Sequence, residues 1–273
     1  MKRFIWNTKE IRRFLRKRTV KCFAAGLLAG AAVGVAAVSL YAYGVLAGND
    51  AASAAVSAEL SEENEKLREQ IDKYHAARHN TETLAGGDAW SLALVNETHP
   101  LDTSYVPEEL AEIADGYYVD ARILADLEQM MNDGAEQGLS MYVTSAYRSY
   151  EQQTETFNLS MQNRLGQGMD PLAAYEETRT SVAIPGTSEH ATGLAVDIIS
   201  TEYAELDERQ GDTKEQQWLM EHCWEYGFIL RYPPEKSDVT GIIFEPWHYR
   251  YVGKEAAREI TEQGITLEEY LSS

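Results

Sequence analysis

Cysteine is nearly absent: Cys22 and Cys223 are the only 2 among 273 residues, far apart and in unlike surroundings. They cannot build a disulfide framework. Basic residues are in deficit, 24 Lys and Arg against 44 Asp and Glu, for a net charge of -20. A surface that acidic repels phosphate, which excludes nucleic acid as a partner. With 44% hydrophobic and 25% charged residues, wholesale disorder is excluded and a sizeable buried core is allowed. Charge of either sign is missing altogether between Cys22 and Asn49.

That uncharged stretch reads FAAGLLAGAAVGVAAVSLYAYGVLA over residues 23–47. As a helix it exceeds the roughly 30 Å hydrocarbon core of a bilayer, and helix is the one form that satisfies its backbone there. Residues 1–21 carry nine Lys/Arg and one acid, a net of +8, while the remainder carries a net of -28. The basic cluster predicts a cytoplasmic N-terminus and an extracytoplasmic remainder. The apolar run is longer than a signal-peptide core, which favours an uncleaved cell-membrane anchor. Four segments follow: 1–21 basic and cytoplasmic, 22–49 transmembrane, 50–86 a stalk and 87–273 a globular domain.

Residues 50–85 are rich in Ala, Glu, Lys and Gln and contain neither Pro nor Gly. Leu60, Asn64, Leu67, Ile71 and Tyr74 are spaced 4-3-4-3, a short heptad-like seam on a helical stalk. Through that seam a weak homodimer could form. His75 and His79 lie one helical turn apart without a third ligand nearby, so they read as solvated.

Beyond residue 90 helices and short strands mix. Asp120 caps a helix to about Gln137 with Gly138 past its end, and MYVTSAY (141–147) alternates as a strand. Ser149 with Gln152 is a capping box, and Asp170-Pro171 opens another helix. GLAVDII (193–199) reads as a buried strand, 214–226 as a helix closed by Gly227, and IIFEPWHYRYV (242–252) as a strand interrupted by Pro246. Two short helices end the chain. The class is α+β with a small, mainly antiparallel sheet.

Polar residues cluster in or beside these apolar strands: Ser188 to Asp197, Glu245 to His248, and Ser145 to Ser149 with Gln153. An ionised Asp197 between Val196 and Ile198 is costly unless paired or metal-bound. His190, Asp197 and His248 make an N2O ligand set that suits zinc with an open fourth position. Glu245, three residues before His248, would serve as the general base. His99 and His222 read as structural or solvated, and Cys223 as a buried, unpaired thiol.

These residues resemble a known family. S-x-H-x-x-G-x-A-x-D at Ser188 to Asp197, E-P-W-H at Glu245 to His248 and Y-R-S-Y-x-x-Q at Tyr147 to Gln153 look like the zinc D-alanyl-D-alanine carboxypeptidases of the vancomycin-resistance type. PGTSEH (185–190), YGFILRYP (226–233) and LVN (94–96) extend the resemblance over roughly residues 92 to 255. It implies a hedgehog/DD-peptidase-like zinc fold, one zinc ion on His190, Asp197 and His248, and Glu245 as base. It also implies that Arg148 faces the substrate, binding its terminal carboxylate or stabilising the oxyanion. Ser145, Gln153 and Ser188 become candidate donors to the peptide, and Trp247 a wall of the site. The expected substrate is a peptidoglycan stem peptide losing its terminal D-alanine. An LD-carboxypeptidase acting on tetrapeptide stems, and a non-catalytic zinc-binding wall or signalling module, are the alternatives.

Overall fold

The computed structural model describes residues 50–86, 89–114 and 116–273. The expected membrane segment at 22–49 and the basic segment at 1–21 lie outside the described residues. Among the described residues no helix is long and apolar enough to cross a membrane.

The expected stalk is one helix, α1 (Asp50–Ala85). The chain divides between Glu69 and Gln70, and the last turns of α1 belong to the second unit, Gln70–Ser273. Within that unit Leu84 is buried, and Asn80 Nδ2 donates to the carbonyls of Leu94 at 2.6 Å and His99 at 3.1 Å. The helix thus ends near the expected boundary while its C-terminal turns pack into the globular core. Ile71 and Tyr74, from the heptad-like seam, are exposed, as are His75 and His79.

The rest of the unit follows in order. A hairpin, β1 (Leu110–Ala114) and β2 (Tyr117–Asp120), precedes helix α2 (Leu124–Glu136) and strand β3 (Met141–Ser145). Helices α3 (Tyr150–Gly166) and α4 (Pro171–Arg179) lead to a 3-10 turn, Glu189–Thr192, and strand β4 (Ala195–Ser200). Helix α5 (Lys214–His222), strand β5 (Phe228–Leu230) and the short α6 (Ser237–Thr240) come before strand β6 (His248–Tyr251). Helices α7 (Lys254–Gln263) and α8 (Leu267–Leu271) finish the chain. The main sheet is four-stranded, β3-β4-β6-β5, with every neighbouring pair antiparallel.

Local chemistry accounts for most boundaries. Asp120 accepts from the Arg122 amide, Ser149 and Gln152 form the reciprocal capping box of α3, and Asp170 caps α4 ahead of Pro171. The expected strand 242–252 is shortened to β6. Pro246 has no N–H to give a ladder, and a turn closes there through His248 N to Glu245 O at 3.1 Å. Glu245 therefore sits on a turn before the strand, not within it. The β1–β2 hairpin was not anticipated, since its strands are short and partly exposed.

Strand parity divides the sheet into two faces. Val196 and Ile198 of β4, Phe228 of β5 and Tyr249 and Tyr251 of β6 join one core with Ile123, Leu127 and Met130 beside α2 and Leu219 of α5. The opposite face carries Asp197, His248, Arg250 and Ile229. Ile229 begins a second, smaller core with Val252, Ala256, Ala257, Ile260 and Leu267. The first core anchors the sheet, and the other face is left to carry polar side chains.

Candidate active site

Register assembles the site. In the β4–β6 ladder Asp197 pairs with His248, and in the β3–β4 ladder Ser145 pairs with Asp197. Directly opposite residues bring their side chains together, so Asp197 Oδ1 lies 3.0 Å from His248 Nδ1. His190 arrives from the 3-10 turn. Its Nδ1 donates to the Ala146 carbonyl at 2.7 Å, just past β3, which turns Nε2 inward to 3.3 Å from Asp197 Oδ2. The three ligand atoms lie within 4.8 Å of one another, and all three residues are buried.

These distances fit zinc. A tetrahedral ion with ligand bonds of about 2.0–2.2 Å sets its ligand atoms roughly 3.3 Å apart. Asp197 is held well below the ordinary carboxylate range: burial pushes its pKa up, and the two histidines outweigh it. Burial, aided by the Arg148 charge, pushes His190 down to about 4, which leaves its ring neutral and able to ligate.

Glu245 is buried, with Oε2 at 4.0 Å from His248 Nδ1. Burial raises its pKa to about 8, with His248 and Arg148 pulling it down and Asp197 pushing it up. A carboxylate with that proton affinity suits general-base work. Arg148 Nη2 is 4.0 Å from Asp197 Oδ2, and its Nε is buried without a partner. Both line a cleft of about 730 Å³ together with His190, Asp197 and His248.

The cleft is also lined by Ser188, Trp247 and Gln153, three of the residues expected to contact substrate. Gln153 Nε2 donates to the Ala183 carbonyl at 2.6 Å, while its buried Oε1 has no partner. Ser145 is the exception. It stays in the ladder opposite Asp197 and is not among the residues lining the cleft.

Four further residues surround the ligands. Tyr232 lines the cleft and packs on the His248 ring, with centroids 4.8 Å apart. Glu189 Oε1 accepts from Arg231 Nε at 2.8 Å and Arg250 Nη1 at 2.7 Å, deep in the interior. The sequence carried a signal for the two arginines, though not for their partner. Leu230 and Tyr232 bracket Arg231, and Tyr249 and Tyr251 bracket Arg250, so each buried cation demanded an anion.

A family model described as VanY: D-alanyl-D-alanine carboxypeptidase matches residues 116–254, more than half of the chain. The chain belongs to the VanY family. A D-alanyl-D-alanine carboxypeptidase of Enterococcus faecalis is 41% identical over 184 residues, 67% of this chain and 66% of that protein. The chain thus spans just under two thirds of that relative. Among solved structures, VanYB in complex with D-alanine-D-alanine superposes with a TM-score of 0.62 at 41% identity, covering 67% of this chain and 98% of that one. A VanY variant in complex with Zn(II) gives a TM-score of 0.61 at 40% identity, covering 67% and 99%. The LdcB LD-carboxypeptidase gives 0.57 at 35% identity, covering 66% and 86%. The VanY membership and the His-Asp-His triangle agree on zinc as the cofactor.

Proposed function

We propose that this chain is a membrane-anchored, extracytoplasmic zinc carboxypeptidase that removes the C-terminal D-alanine from peptidoglycan stem peptides. The observation that carries the reading is that Glu245, Arg148 and the His190–Asp197–His248 triangle line a single cleft. Bound there, zinc supplies Lewis acidity that activates water and polarises a carbonyl. Glu245 accepts the proton of the attacking water and later delivers it to the leaving amine. Arg148 offers its free donors to the substrate oxygen that gains charge. Trp247 and Tyr232 flank the triangle and limit solvent.

DD-carboxypeptidase activity is favoured over LD activity by the greater likeness to VanY structures than to LdcB. A buried base beside the ligands favours catalysis over a purely binding role. The anchor is supported by the uncharged run at 22–49 and the basic segment before it. Exposed Ile71 and Tyr74 leave the stalk seam open to a second copy.

The test is D-alanine release by the zinc-loaded protein from a synthetic pentapeptide stem and from the matching tetrapeptide. Release from the pentapeptide is expected. Release from the tetrapeptide alone would make it an LD enzyme, and none from either, with zinc bound, would make it a binding module. Membrane sedimentation and protease accessibility of the full chain in cells test the anchor.

A further inference from the structure

Two buried polar atoms with no hydrogen-bond partner face each other beside the ligand triangle. They are Glu189 Oε2 and His248 Nε2, 3.6 Å apart. Orphaned buried groups are rare, and each calls for an explanation. Here one is an acceptor and the other a potential donor, so the pair explains itself if His248 carries its proton on Nε2.

That tautomer is the one the site requires. His248 turns Nδ1 toward Asp197 Oδ1 and Glu245. An imidazole that ligates through Nδ1 must hold its proton on Nε2. The groups packed on the ring elsewhere are the Tyr232 ring and the edge of His190. Among the described residues Glu189 is the carboxylate that confronts Nε2.

We propose that Glu189 is a positioning residue of the metal site: its Oε2 takes the Nε2–H of His248 and so presents Nδ1 to the metal. Arg231 and Arg250 hold the other oxygen, Oε1, and fix where Oε2 points. The clamp is itself fixed. Arg231 Nη2 donates to Glu268 Oε1 of α8 at 2.6 Å, and Arg250 Nη2 to the carbonyls of Ser91 at 2.9 Å and Ala93 at 2.8 Å. Sequence position hides this role, since Glu189 reaches His248 from a distant segment of the chain.

The rival reading makes Glu189 only a counter-ion for two buried arginines. Glu268→Gln separates the two, because it loosens the same arginine clamp without touching His248. Zinc dissociation constants, measured by chelator competition, are compared for the wild type, Glu189→Gln and Glu268→Gln, alongside thermal stability. The expected result is a 10- to 100-fold weaker zinc affinity, roughly, for Glu189→Gln, with Glu268→Gln losing stability but weakening zinc far less, since Arg250 still holds Glu189. A folded Glu189→Gln that binds zinc as the wild type does would overturn the proposal. Nitrogen-15 NMR of zinc-loaded wild type decides the case even if Glu189→Gln fails to fold. An Nε2 proton on His248 that is shifted downfield and slow to exchange, as a hydrogen bond to a carboxylate makes it, supports the proposal, and a bare Nε2 or a proton without those signatures overturns it. The proposal rests on the zinc-site reading, and the arms distinguish the failures. A wild type that binds no zinc sinks that reading, whereas equal affinity in wild type and Glu189→Gln sinks only the role of Glu189.

Discussion

Asp197 and His248 stand opposite each other across the β4–β6 ladder, with Asp197 Oδ1 3.0 Å from His248 Nδ1. Their meeting is a consequence of register. A one-residue slip of β6 would bring Tyr249 to this place and turn His248 to the face packed on α2 and α5. Val196, Ile198, Tyr249 and Tyr251 are locked in the opposite core, and burying them fixes the register. The apolar face of the sheet therefore positions the metal ligands on its polar face.

Removing the carboxylate should then remove the metal while leaving the ladder intact. Asp197→Asn keeps the shape but replaces the anionic ligand with a neutral amide, a poor partner for zinc. Zinc content after dialysis should fall below stoichiometric, with far-UV circular dichroism unchanged. Full retention of zinc in that variant would take Asp197 out of the ligand set.

In the proposed mechanism Glu245 belongs to the chemistry and not to the ligand set. Glu245→Gln is nearly isosteric, and it removes a base whose pKa burial has raised to about 8. D-Alanine release should drop by about 10²- to 10⁴-fold, with zinc stoichiometry unchanged by atomic emission. Equal activity in the variant would assign the base elsewhere.

Arg148 lines the cleft beside the His-Asp-His triangle, its Nη2 4.0 Å from Asp197 Oδ2. That position suits the developing oxyanion better than a distant carboxylate. Arg148→Lys should therefore lower kcat by about 10²-fold or more and change KM less. A rise in KM with kcat preserved would move Arg148 to the terminal carboxylate of the substrate.

The legible parts of the molecule were those with local signals. The caps at Asp120, Ser149 and Asp170 and the buried strand around Asp197 follow from neighbours in sequence. The ligand set was legible because polar residues in apolar strands are costly without a purpose. Glu245 was placed one element off, since Pro246 ends pairing rather than merely interrupting it. Glu189 was invisible because its partners come from β6, the end of β5 and, through Arg231, α8. No local pattern announces a contact made across the sheet.

Cys223 should be chemically silent in the folded protein. It is 2% exposed, and burial pushes its thiol pKa up to about 12. The thiolate is the reactive form, so at pH 8 its population is on the order of one part in ten thousand. Iodoacetamide labelling followed by peptide mass mapping should leave the Cys223 peptide unmodified in native protein and label it fully in denaturant. Native labelling at pH 8 would show that the core around α5 opens on the timescale of the reaction.

Gly193 ties the metal-binding turn to the end of β2, and alanine there should damage both. Its φ of +72° is left-handed, and an added Cβ would lie 2.7 Å from the Asp120 backbone nitrogen. That nitrogen donates to the Gly193 carbonyl at 2.9 Å, so it cannot retreat without losing the bond. Gly138 supplies the comparison, since it has φ +78° with nothing within 4 Å. Gly138→Ala should cost about 1 kcal/mol for its backbone angle alone. Gly193→Ala should cost about 1–3 kcal/mol more for the clash, read as a shift in urea midpoint at constant slope. Zinc affinity should fall only in Gly193→Ala, because His190 sits on the turn that Gly193 closes through its amide to the His190 carbonyl at 3.2 Å. Equal losses of stability in the two variants would mean that Asp120 yields freely, and the coupling between the β1–β2 hairpin and the metal-binding turn would fall with it.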